Sequence, residues 1–343
     1  MSSSHDPGAP LAKQRADRLL AHPDKSAALP SHNVRIGTAS WTDPTLTTHG
    51  VFYPEAAKSA ETRLNFYSSV FPLVEVDSIY YALPSRNVAE LWVQRTPVDF
   101  RFNVKAYALM TGHPSEVSRF PRALKDQLPA ALRDARRVYS KDLPEEIVSA
   151  IWNHFIDAIE PLSDAGKLGA VLLQYPPWFL ANRKSVAELT RARKRLGTVP
   201  ASVEFRSARW LAPAVADRTF AALRENEFSY VCVDEPQGMA SSVPPILAVT
   251  NDRLAIVRMH GRRTETWEQP GAPVSERFRY LYQKEELEEW VPRVTYLADQ
   301  AAETHVVFNN CYANYGTTNA LEIGELVSRV YKKRGRVPRV PDP

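Results

Sequence analysis

Cysteine is scarce: Cys232 and Cys311 are the only two in 343 residues, and no CxxC spacing joins them. That count excludes a disulfide framework and a thiolate zinc site, and it points to a reducing cytoplasm. Long apolar runs are missing too. No stretch approaches the ~20 residues that span a bilayer, and residues 1–33 lack the apolar segment of a secretory signal. Neither GxGxxG nor GxxxxGK followed by Ser or Thr occurs, so the glycine-rich cradles for dinucleotides and nucleoside triphosphates have no counterpart. No GxSxG is present either, which leaves a serine nucleophile without its usual turn. Charge of one sign is not concentrated. With 43 basic and 39 acidic residues the formal net charge is +4, enough to favour an anionic ligand but short of a dedicated nucleic-acid binder.

What is present is a regular alternation. Eight short runs rich in Val, Ile and Phe have the length and composition of buried strands: "VRIGTAS" (34–40), "LVEVDSIYY" (73–81), "FRFNVKA" (100–106), "GAVLLQY" (169–175), "ASVEF" (201–205), "SYVCVDE" (229–235), "LAIVRMH" (254–260) and "HVVFNN" (305–310). Helical spacing fills most of the intervals. Leu64, Tyr67 and Phe71 share a face within 59–71; Val88, Leu91 and Trp92 do so within 85–95. Ile147, Ile151, Phe155 and Ile159 recur at every fourth residue of 144–159, behind Pro144 and two acids. Helices are also predicted within 185–196, 212–226, 284–303 and 318–333. Eight β–α alternations predict an α/β fold, a (β/α)8 TIM barrel in one domain over 34–330. A doubly wound open sheet is the alternative, but it would need the nucleotide fingerprint that is absent.

Two connections stand out. Residues 107–143 form a long insertion after the third strand, and "PQGMASSVPPILAVTND" after the sixth shows no helical pattern. Residues 1–33 read as a polar, disordered leader, with a short helix near Leu11–Leu20 as its one candidate element. The basic, proline-rich 331–343 reads as a solvated tail.

Every predicted strand ends in polar side chains. In a parallel barrel these ends converge on the face where active sites lie. Thr38, Ser40 and Trp41 follow the first strand; Glu75, Asp77 and Ser78 the second; Asn103 and Lys105 the third. Gln174, Tyr175, Glu204, Arg206, Asp234, Glu235, Arg258, His260, Asn309 and Asn310 continue the series. Three anions, Glu75, Glu204 and Asp234, face three cations, Lys105, Arg206 and Arg258. Such a set is either a ligand site or a neutral ion-pair network.

The ordered motifs "IGTASW", "GVFYP", "EVDSIYYALPS", "FRFNVKA", "LLQYPP", "VEFR…W", "VCVDEP", "VRMHGR" and "VVFNNCYANYGTTNA" resemble the bacterial domain-of-unknown-function 72 family, the YecE-like TIM-barrel proteins, over residues 34–325. The resemblance implies a TIM barrel and supplies no reaction. It marks Trp41, Glu75, Tyr80, Lys105, Gln174, Glu204, Arg206, Asp234, Arg258, His260, Arg262, Asn309 and Asn310 as the corresponding family positions.

Three chemistries compete for these residues. Glu75 and Glu204, on strands across the barrel, suit an acid–base pair, with Lys105 and Arg258 stabilising developing negative charge. Asp234 and His260 are further catalytic candidates. Trp41, Tyr80, Gln174, Arg206, Arg258, Arg262, Asn309 and Asn310 are candidates for binding a small polar or anionic ligand, and Trp41, Tyr80 and Trp210 would suit a sugar. A divalent ion on Glu75, Glu204, Asp234 and His260 is disfavoured by the single histidine and the neighbouring cations, so neither metal nor other cofactor is expected. Arg258, Arg262 and Arg263, with the basic stretch 183–196, suit a phosphate backbone. Nucleic acid is therefore a second-choice partner, a membrane is no partner, and oligomeric state leaves no signature. The expected function is a hydrolase-like enzyme.

Overall fold

The computed structural model describes residues 8–21, 33–48, 51–271 and 273–334. Eight strands form a closed parallel barrel: β1 (Val34–Thr38), β2 (Leu73–Val76), β3 (Arg101–Lys105), β4 (Leu168–Tyr175), β5 (Ala201–Phe205), β6 (Phe228–Asp234), β7 (Leu254–Met259) and β8 (Glu303–Phe308). Each strand pairs with its neighbours in the chain, and β8 closes on β1. The register runs Val34 with Thr304 through Thr38 with Phe308. Strands of a barrel wrapped by helices are covered on both faces. Accordingly β2, β5, β6 and β7 are buried at every residue.

The helices are α1 (Gly8–Leu20), α2 (Ala60–Val70), α3 (Arg86–Gln94), α4 (Glu145–Asp164), α5 (Arg183–Leu196), α6 (Ala216–Glu225), α7 (Lys284–Ala298) and α8 (Tyr315–Arg334). Their ends follow local chemistry. Ser59 and Thr62 exchange the reciprocal hydrogen bonds of a capping box before α2. Asn182 accepts from the Ser185 N–H at the start of α5, whose last turn carries Arg193, Lys194 and Arg195 against the negative end of the dipole. In α4, Ile147, Ile151, Phe155 and Ile159 are buried as their spacing predicted, and α4 packs on α3.

Tight closure between β1 and β2 depends on one glycine. Gly37 pairs with Leu73, and a Cβ there would fall 1.9 Å from the Leu73 carbonyl oxygen. Tyr67 of α2 holds the same place. Its buried hydroxyl accepts from the Thr38 N–H at 2.9 Å and donates to the Leu73 carbonyl at 3.1 Å.

Backbone proximity groups the chain into two compact units, Glu75–Tyr230 and the residues on either side of it. Several expectations change in detail. Within the stretch read as a disordered leader, the candidate helix near Leu11–Leu20 is present as α1, starting at Gly8, and its Ala12, Ala16 and Leu19 are buried where it packs on α8. Arg15 makes a two-pronged pair with Glu322, at 2.7 and 2.6 Å. Residues 1–7 and 22–32 of that leader, and 335–343 of the expected tail, lie outside the described residues; 331–334 complete α8. The second predicted strand is shorter than its apolar run, because Ser78–Tyr80 turns into a 3-10 helix. The insertion 107–143 breaks into short turns around Pro121 and Pro129, with Ser115–Glu116 antiparallel to Arg137–Val138. No helix joins β6 to β7. There the buried Glu235 accepts from the Val243 N–H at 2.7 Å and folds the connection back.

Candidate functional site

Within Glu75–Tyr230 the expected residues gather at the carboxyl ends of β3, β4 and β5. Glu204 is fully buried. Its strand neighbour is Gln174, whose Nε2 donates to Glu204 Oε1 at 2.7 Å. Arg206, the first residue past the end of β5, reaches the same oxygen at 3.3 Å. A carboxylate removed from water is tolerated when donors of this kind surround it. Glu75, at the end of β2, is also buried.

Lys105 ends β3. Its ammonium lies 4.7 Å from the centre of the Tyr80 ring and 3.9 Å from Asp77 Oδ1, so a cation–π contact and a weak ion pair hold it. Burial pushes the Tyr80 hydroxyl up to about 12, with Tyr81 and Asp77 adding to the effect. Tyr80 meets His113 edge to face at 5.4 Å, and His113 meets Trp178 at 5.8 Å. His113 is held neutral, its pKa brought down to about 4 by burial first and by the charge of Lys105 second.

Outside that span a second group surrounds Asp234 at the end of β6. Its carboxylate is 3% exposed. Oδ1 accepts from Arg262 Nε at 2.9 Å and from the Tyr282 hydroxyl at 2.8 Å. Oδ2 accepts from Arg262 Nη2 at 2.7 Å and from the indole N–H of Trp290. Arg262 also reaches Glu289 at 3.1 Å and Glu286 at 3.4 Å, and its pKa is raised, chiefly by the hydrogen bonds to Asp234. Burial foremost, then Asp234, drives the Tyr282 hydroxyl well above its usual range. Arg263 pairs with Glu276 at 2.9 Å. Arg262 and Arg263, which follow β7 in sequence, are thus answered by acids on both earlier and later segments.

His260 is fully buried. Asn309 Nδ2 lies 2.9 Å from its Nδ1; with the amide donating, the ring proton sits on Nε2. Asn310 donates to the Tyr280 carbonyl and to Asn319 Oδ1, at 2.8 and 2.9 Å. Arg258 and Trp41 are both buried, as is Trp210. Among the described residues, no three His, Cys, Asp or Glu side chains gather as metal ligands would.

The family model described as "Protein of unknown function DUF72" matches residues 35–342. This chain belongs to the DUF72 family. A curated relative, the UPF0759 protein YunF of Bacillus subtilis strain 168, is 32% identical over 310 residues, covering 89% of this chain and 98% of its own. Among solved structures, a DUF72 family protein from Thermotoga maritima MSB8 is similar at 30% identity and a TM-score of 0.67, covering 86% of this chain and 99% of the other. One from Enterococcus faecalis V583 is similar at 27% identity and a TM-score of 0.69, covering 86% and 95%. The eight-stranded barrel and the family resemblance carried by the motifs are both borne out.

In this DUF72 protein the expected residues come together as Gln174–Glu204–Arg206, Tyr80–Lys105, Asp234–Arg262 and His260–Asn309. Sequence reasoning missed His113 and Trp178. Both lie on connections after strands, where no periodicity signals a role.

Proposed function

We propose that this DUF72 protein is an enzyme using acid–base chemistry, hydrolase-like in type, on a small polar or anionic substrate at the carboxyl ends of the barrel strands. The observation that carries the reading is Glu204: a fully buried carboxylate at a strand end, held by an amide and a guanidinium. Evolving a core strand to carry a charge is costly unless the charge is used or paired, and barrel strand ends are where barrel enzymes place their chemistry. In this reading Glu204 and Glu75 exchange protons with the substrate and its attacking water. Lys105 stabilises the negative charge that develops, while Gln174 and Arg206 fix the Glu204 carboxylate. Asp234, with both oxygens occupied by donors, is an anchor that sets Arg262 and Tyr282 rather than a proton carrier. His260, Asn309, Asn310, Arg258 and Trp41 stay on as candidates for ligand contact or support.

Phosphate-backbone binding has less in its favour. Arg262 and Arg263 are already engaged by Asp234, Glu289 and Glu276, and a nucleic acid would have to displace those acids.

The test is a panel of p-nitrophenyl esters, phosphates and glycosides offered to the wild type and to Glu204→Gln. At least one class should turn over, and the variant should lose about a hundredfold or more of that rate with its circular dichroism unchanged. No turnover by the wild type, or an equal rate in the variant, overturns the reading.

A further inference from the structure

Of the seven tryptophans in the chain, six are buried: Trp41, Trp92, Trp152, Trp210, Trp267 and Trp290. Trp178 is 61% exposed. It follows β4 on the segment Pro176–Pro177–Trp178, and it is not there by looseness of that segment. The next residue, Phe179, stacks on Tyr175 at 4.1 Å and on Trp210 at 5.5 Å. Trp210 in turn stacks on Phe205 at 4.3 Å, and its indole N–H donates to the Phe179 carbonyl at 2.6 Å. Two strand aromatics, Tyr175 and Phe205, with Trp210 of the following 3-10 turn, therefore fix the backbone that holds one aromatic out into water. An exposed indole on a rigid mount loses little freedom when a ligand covers it, which is the condition for efficient binding.

The neighbour of Trp178 supplies direction. With the Thr111 hydroxyl donating to the Ala108 carbonyl at 3.3 Å, its 2.9 Å contact with His113 Nδ1 is one in which it accepts. The proton of the neutral ring then lies on Nδ1, and Nε2 presents a bare lone pair. Burial and Lys105 keep the ring neutral. An apolar face beside a hydrogen-bond acceptor matches a ring that is apolar on its faces and carries hydroxyls at its rim. Tyr80 continues the row, and it is also one wall of a cavity of about 310 Å³ that Tyr81, Ser115 and Arg137 help to line. A ligand longer than one ring has room to continue there.

We infer that Trp178, His113 and Tyr80 form a carbohydrate subsite, in which a sugar ring stacks on Trp178 and gives a hydroxyl hydrogen bond to His113 Nε2. The inference names the substrate class for the site proposed above, and it rests on that reading only in taking this end of the barrel as the substrate side.

The experiment is saturation-transfer NMR on the full chain with a panel of mono- and disaccharides, neutral and acidic, at millimolar concentration, followed by titration of those that bind. At least one sugar should bind the wild type. Trp178→Ala should weaken it by about tenfold, whereas Trp178→Phe, which keeps a stacking face, should stay within a few-fold. His113→Ala should weaken it and His113→Gln, which keeps an acceptor, should restore part of the loss. Because Trp178 is exposed, its variants should fold as the wild type does, checked by thermal melting. The inference falls if no sugar in the panel binds, or if a sugar binds Trp178→Ala as well as the wild type. If Trp178-dependent sugar binding coexists with a complete lack of turnover in the chromogenic panel, the acid–base reading fails and the subsite stands.

Discussion

Replacing Asp234 by asparagine keeps the shape of the side chain and changes only what its two ends can accept. In the native protein each carboxylate oxygen takes two principal donors: Arg262 Nε and the Tyr282 hydroxyl on one, Arg262 Nη2 and the Trp290 indole on the other. Asparagine offers one oxygen and one NH2 group, so two of the four donors face a donor instead. Hydrogen bonds to a charged group contribute about 1.5–3 kcal/mol each, which sets a gross loss of roughly 3–6 kcal/mol. Arg262 offsets part of it, since it is about a quarter exposed and keeps Glu289 and Glu286. A net loss of about 3 kcal/mol is expected, near the lower end for breaking a buried pair. At about 2.1 cal/mol/K of unfolding entropy per residue, that is a fall in melting temperature of roughly 4 °C for a chain of this size. The assay is thermal and urea denaturation of Asp234→Asn, Arg262→Gln and the double variant. Their cycle should give a coupling of about 2 kcal/mol. A single-variant loss below about 1 kcal/mol, or additive singles, would refute the view of Asp234 as the anchor of this group.

Two further expectations concern single residues. His113 has its pKa lowered to about 4 from an ordinary 6.5, by burial and then by Lys105. Between those values the unfolded chain binds the proton and the folded chain does not. Stability should therefore be unaffected by this group above 6.5 and should fall as pH drops toward 4. His113→Gln should flatten that part of the wild-type profile, and a difference between the two proteins that is constant with pH would count against the assignment. Gly37→Ala would set a Cβ 1.9 Å from a backbone oxygen of β2, which no side-chain motion relieves. Loss of soluble, folded protein is expected on expression, and a variant melting within a few degrees of the wild type would contradict the strand spacing.

The barrel was legible because its strands are covered on both faces: Val, Ile and Phe runs such as "SYVCVDE" have no polar alternation to confuse with anything else. Tyr80 was misplaced on a strand because an apolar run does not mark where a strand bends into a turn, and the turn at Ser78–Tyr80 is what brings Tyr80 over Lys105. Glu204 with Gln174 was readable in part, since both end strands, but their pairing depends on register across β4 and β5. The cations after β7 read as a free basic cluster. The acids of Arg262 sit 24 to 28 residues away on either side and that of Arg263 is 13 residues on, so counting charge locally gave the wrong local sign. His113 and Trp178 were invisible for a related reason. What makes Trp178 notable is Trp210, 31 residues beyond the Phe179 carbonyl that it holds, and no local pattern encodes that support.

The first described helix also bears on how the molecule is made. Arg15 of α1 finds its partner Glu322 only 307 positions further along the chain. Closing a loop of that length costs about 5 kcal/mol of chain entropy beyond a constant, and on a ribosome it cannot happen until α8 has emerged. Through most of synthesis α1 is therefore an amphipathic segment with its alanine face uncovered, and that face is covered only when α8 is in place. Its exposure distinguishes a completed molecule from a truncated one, a difference that a protease acting on the nascent chain can read.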